Sequence, residues 1–178
     1  MQLEKRFEIL EGLPPYGPSA IPITYTELPF YSEGFVVRFF NKNGTSWIAN
    51  FEPGWTNLNE VIDYPDINKV FVVAGGACFI MDPSNQTPIT KFGFSYKSIL
   101  SVDDGRFILV DVIDVTVIET NLSFWHSLRI SWDGLEDVKL EGHLLKGLSY
   151  TPVSIKGEWI PFTLNINTKE LIGGAYNL

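Results

Sequence analysis

The chain is poor in the residues from which most catalytic and metal-dependent sites are built. Its 178 residues include two histidines, His126 and His143, and one cysteine, Cys78. A single cysteine excludes an internal disulfide. Its place in the apolar run Val72 to Met81 marks it as a small buried hydrophobe. So few imidazole and thiol groups leave no metal-ligand set, and no cofactor is expected. The carboxylates do not replace them, because Asp103-Asp104 and Asp111 with Asp114 lack the spacing of a calcium loop and read as turn acceptors. A G-x-S-x-G nucleophile elbow is absent, and Gly75-Gly76 joins two strands without a following helix that could hold phosphate.

Positive charge is scarce as well. Lys and Arg number 13 against 21 Asp and Glu, giving a net charge of −8 and a pI near 4.7. A phosphate backbone is bound by basic stripes that displace counterions, so nucleic acid is excluded as an expected partner, whereas a basic protein partner suits this surface. No apolar run approaches the roughly 20 residues of a membrane helix, and MQLEKRFEIL lacks the apolar segment of a signal peptide. A cytoplasmic protein with no membrane partner is expected. The sequons at Asn43-Gly-Thr45 and Asn121-Leu-Ser123 then read as chance matches.

Helical periodicity is the last thing missing. The best candidate, Asn57 to Ile62, is about two turns long, and 11 prolines and 15 glycines oppose longer helices.

What is present is a folding composition, with 45% hydrophobic and 19% charged residues and 13 Phe, 7 Tyr and 5 Trp. One β domain over residues 1–178 is expected, with 1–30 as an extended Pro-rich segment packed on it. Hairpins are read at Gly34–Phe40 with Ser46–Phe51, at Lys69–Val73 with Ala77–Asp82, and at Ile99–Val102 with Arg106–Asp111. Their connections carry Asn43-Gly44, Gly75-Gly76 and Asp103-Asp104-Gly105, which supply the positive φ of tight turns. Val115–Glu119, Ser127–Ser131, Val138–Glu141, Trp159–Asn165 and Glu170–Ile172 also read as strands.

A spacing of 29 residues separates Gly76 from Gly105, Asp82 from Asp111 and Ile89 from Ile118, and Asn165 with Ile172 extends the pattern. The fold class read from this is all-β, built of antiparallel hairpin repeats in a propeller-like arrangement, with a β-sandwich or barrel as alternatives. In Leu13–Pro22, the prolines Pro14, Pro15, Pro18 and Pro22 impose extended chain, suited to covering an edge strand or docking in a groove.

The densest chemistry lies in Trp125 to Gly134. Trp125, His126, Arg129, Trp132 and Asp133 form the candidate binding set, with an Arg129–Asp133 pair and the two tryptophans flanking a pocket. Read as a strand, the segment turns His126 and Ser127 to opposite faces, which opposes a Ser/His nucleophile. The competing structural reading packs the tryptophans in the core and uses Arg129 to hold a turn.

The blocks LPPYGP at Leu13–Pro18, EGFVVRF at Glu33–Phe39, VVAGG at Val72–Gly76, RISWDG at Arg129–Gly134 and GGAY at Gly173–Tyr176 span nearly the whole chain. By them it resembles a widespread group of small uncharacterised bacterial proteins. The resemblance implies a bacterial source and brings no established activity with it. By loose analogy it also suggests the immunity proteins that neutralise interbacterial toxins. The expected function is a non-enzymatic protein-interaction module, immunity-type or adaptor. The alternative is a small-molecule binder or hydrolase with its site in Trp125–Asp133.

Overall fold

The computed structural model describes residues 5–26, 28–153 and 156–176. They form four four-stranded sheets, with no α-helix among the described residues. The first sheet contains β1 (Phe7–Ile9), β2 (Ile21–Ile23), β3 (Phe35–Phe40) and β4 (Ser46–Phe51) in the order β1-β3-β4-β2. The second runs in chain order through β5 (Glu60–Tyr64), β6 (Lys69–Ala74), β7 (Ala77–Met81) and β8 (Thr90–Phe92). The third joins β9 (Ser98–Ser101), β10 (Phe107–Val110), β11 (Val115–Ile118) and β12 (Phe124–His126). The fourth joins β13 (Leu135–Glu141), β14 (Leu144–Thr151), β15 (Glu158–Asn165) and β16 (Leu171–Gly173). The last three sheets are antiparallel meanders, and in the first β2 pairs parallel to β4. The all-β, hairpin-repeat expectation therefore holds. No sheet closes on itself, which removes the barrel alternative.

The chain divides into two compact units, Met1–Ser95 and Tyr96–Leu178. In the first unit, Val37, Phe39, Ala49 and Phe51 of the first sheet share a core with Val70, Val72, Phe79 and Met81 of the second. In the second unit, Ile108, Val110, Val115 and Val117 of the third sheet pack with Leu145, Phe162 and Leu164 of the fourth. The strands β6 and β7 are buried along nearly their whole length, which is why VFVVA and ACFIM read as unbroken apolar runs rather than alternating ones. The Pro-rich segment does cover an edge, since Ile21–Ile23 adds to β4 with Pro22, which has no N–H to offer a ladder, in this added edge strand.

Three local readings are corrected. Asn57–Ile62 is not helical: the chain enters β5 at Glu60, and Asn59 Oδ1 accepts the Gly75 N–H at 2.8 Å, an Asn used as a turn acceptor. Ser127–Ser131 is not a strand, because the ladder with β11 ends at His126 and both Ile130 and Ser131 N–H groups turn to the Ile113 carbonyl. The 29-residue repeat is offset by one strand. Asp82 follows the third strand of its sheet and Asp111 the second, and Ile118 ends β11 rather than opening a strand.

What recurs instead is a small turn. Asn43, Asp82, Asn85 and Asn121 each accept, through Oδ1, both the backbone N–H and the hydroxyl of the Ser or Thr two residues on. The two sequon matches are two of these turns.

Candidate functional site

The Trp125–Gly134 segment leaves β12 and crosses irregularly to β13. Its shape is set by side chains that bind backbone, a competition Ser and Arg win wherever no ladder partner is on offer. Ser131, fully buried, accepts the Tyr150 N–H at 2.9 Å, and its hydroxyl lies 2.6 Å from the Gly134 carbonyl. Arg129 donates Nε to the Ser131 carbonyl at 2.9 Å and Nη2 to the Trp132 carbonyl at 3.0 Å. The guanidinium thus holds the turn through backbone oxygens. Asp133 is exposed.

The guanidinium carbon of Arg129 also lies 5.4 Å from the Trp132 ring centre and 4.4 Å from that of Tyr176, and the two rings are 4.9 Å apart. Trp132 and Tyr176 remain 41% and 39% exposed, so this stack of cation and rings faces solvent. Tyr176 reaches it because its N–H binds the Ile130 carbonyl, alongside Gly174, where a Cβ would stand 3.0 Å from that same oxygen. Tyr176 belongs to the site although sequence spacing gave no reason to join the GGAY block to RISWDG.

The other predicted residues separate from this stack. Trp125 packs against the second unit's core, donates Nε1 to Glu119 at 3.1 Å and carries Lys169 over its ring at 4.8 Å. The two tryptophans therefore have different partners. His126, itself exposed, ends a polar chain that starts from the buried Tyr96 and Thr116: Tyr96 Oη and Thr116 Oγ1 lie 2.6 Å apart, and Thr116 Oγ1 and His126 Nδ1 lie 2.7 Å apart. Ser127 is not its nucleophile, since the Ser127 hydroxyl donates to the Leu128 carbonyl and accepts the Val115 N–H.

Asp114, read from the sequence as a turn acceptor, is the carboxylate of this region that the fold perturbs. Burial, with the nearby Asp111 charge, pushes its carboxyl up to about 6, while His126 and Arg129 oppose the shift. The described residues contain no cluster of three His, Cys, Asp or Glu able to hold a metal.

In the first unit, large aromatics also stand in solvent: Tyr16 is 90%, Tyr31 91% and Trp55 81% exposed. Tyr16 and Tyr31 line a groove of about 670 Å³ with Leu13, Pro15, Pro18 and Phe30, and none of its described lining residues is charged. No protein-family model matches the chain, and no curated protein matches it significantly. No helix among the described residues is long and apolar enough to cross a membrane.

Proposed function

We propose that this chain is a non-enzymatic protein-interaction module of the bacterial cytoplasm, of immunity or adaptor type, which contacts its partner through Arg129, Trp132 and Tyr176. The observation that carries the reading is the solvent-facing stack of these three side chains, with Arg129 already immobilised by two backbone carbonyls. Trp, Tyr and Arg dominate binding hot spots, and a pre-held guanidinium loses little rotamer freedom when a partner arrives. Asp133 at the rim and the nearby Asp111 and Asp114 favour a partner that presents basic residues, in keeping with the net charge of −8. The exposed Tyr16 and Tyr31 support the same class of function from a second surface.

The test is affinity capture from the native host with wild type, Trp132→Ala and Tyr176→Ala as baits, alongside thermal melts. Both rings are partly exposed, so melting is expected to stay within a few degrees of wild type while recovery of the captured protein falls at least tenfold. Recovery at wild-type levels by both variants would remove this surface from consideration.

A further inference from the structure

A second site, unrelated to the aromatic stack, lies at one end of the first unit. The approach to β1, the end of β3, the start of β6 and the end of β7 meet around a cavity of about 410 Å³, within the range of small-ligand pockets. Its polar lining consists of Lys5, Arg6, Lys42, Asn41, Asn68 and Ser84 with their neighbour Asn43, and Phe40 and Pro83 supply apolar wall. Among the described residues, three cations and no carboxylate line it, in a chain whose net charge is −8.

The acids close by are already engaged behind this lining. Glu8 pairs with Lys5 and Arg38, Asp63 with Arg6, and Asp82 with Lys69 while accepting from Asn68 and Ser84. Those contacts fix Arg6, which also donates to Asn68 Oδ1 at 3.0 Å, and they place Lys5 over the Phe40 ring. Lys42 makes no ion pair or hydrogen bond among the described residues. Asn41 is also half-used. Its Nδ2 donates to Thr45 Oγ1 at 2.9 Å, and its Oδ1 is buried with no partner. A buried acceptor left unmet is destabilising, and a turn of the amide toward the cavity would let a ligand hydroxyl or amine supply the missing donor.

We infer that this cavity binds a small anion that also carries hydroxyl or amine donors, its phosphate or carboxylate held by Lys42 and Lys5 and its donor by Asn41. A phosphorylated polyol and a hydroxycarboxylate share this chemistry.

The experiment is a ¹⁵N-detected NMR titration of the whole chain with glycerol phosphate, glycerate and glycerol in separate arms, repeated on Lys42→Glu. Lys42 is exposed, so its charge reversal leaves the fold intact. Saturable shifts confined to residues 5–6, 40–43, 68 and 83–84 are expected with at least one anion, and binding at least tenfold weaker in Lys42→Glu. The tighter of the two anions identifies the group recognised. Shifts with neither anion, equal shifts with uncharged glycerol, or unaltered binding by Lys42→Glu would overturn the assignment.

Discussion

The two units use the same four-stranded sheets but fill them differently. The first is packed with rings: Phe39 and Trp47 lie 4.9 Å apart, Phe51 and Phe79 5.1 Å, and Tyr25 and Phe94 4.6 Å. The second has a mainly aliphatic cluster between its sheets, to which, among the described residues, Phe162 adds the one buried ring, with Tyr96 and Phe107 buried elsewhere in the unit, and it buries Thr116, Ser131, Ser149 and Thr151. In the first unit the corresponding buried polar residue is Asn50, which fastens the loop before β3 through the Gly34 N–H and the Ser32 carbonyl. Rings supply large contact areas and fix geometry by their edges. Aliphatic side chains leave the irregular stretches unfastened, and in the second unit hydroxyls perform that task. The candidate interaction surface lies where the hydroxyls are.

The largest effect should come from breaking the ring core. Phe79 is fully buried at the centre of β7 and touches both Phe51 and Tyr25, so Phe79→Ala is expected to cost about 3–5 kcal/mol. Thermal unfolding should show this as a fall of roughly 10 °C. A loss below about 1 kcal/mol would mean that the rings are not what holds the first unit.

A smaller effect is expected from the hydroxyl fastening of the second unit. Ser149 Oγ donates to the Ile160 carbonyl and accepts the buried Ala175 N–H, both at 2.8 Å. Ser149→Ala leaves that N–H unpaired and should cost about 1–3 kcal/mol by chemical denaturation. Hydrogen exchange should at the same time quicken at Ala175 and Tyr176, because the chain carrying the stack is released. Unchanged exchange at those amides would separate the two features.

The smallest effect is electrostatic. The Asp114 carboxyl is raised to about 6 in the folded chain, above its ordinary value of 3.8. Folding therefore favours the protonated form, and the stability it contributes is complete below about pH 4 and lost as pH rises through about 6. Asp114→Asn should flatten the dependence of melting temperature on pH within that window. Below it, Glu8, Asp82 and Asp104, whose carboxyls are held low, govern acid loss in wild type and variant alike. An identical slope in the two proteins between pH 4 and pH 7 would show that Asp114 ionises freely.

Legibility in the sequence followed the turns. The hairpins β3–β4, β6–β7 and β9–β10 were readable because Asn-Gly, Gly-Gly and Asp-Asp-Gly announce a reversal whatever the core does. β14 escaped because Lys146, Gly147 and Ser149 interrupt its apolar pattern, and its partners β13 and β15, rather than its own residues, make it a strand. At the candidate site, Arg129 and Trp132 were legible as a cluster by proximity in the chain. Tyr176 was not, since a contact 44 residues away through a backbone bond to Ile130 leaves no local trace. The two carbonyl bonds of Arg129 left no trace either, since they depend on the irregular path of the backbone from Ser131 to Trp132.

The order of the first sheet sets a timetable for synthesis. In the other three sheets every strand pairs with its predecessor, so each can zip as it emerges. In the first, β1 pairs only with β3 and β2 only with β4, while β3 and β4 pair with each other. Once made, β1 and β2 must wait, unpaired, for a hairpin that ends at Phe51. At about 5–20 residues per second that interval lasts seconds, long compared with hairpin closure. The proline-studded segment between them, poor at pairing with anything, is the stretch of chain best suited to be left waiting.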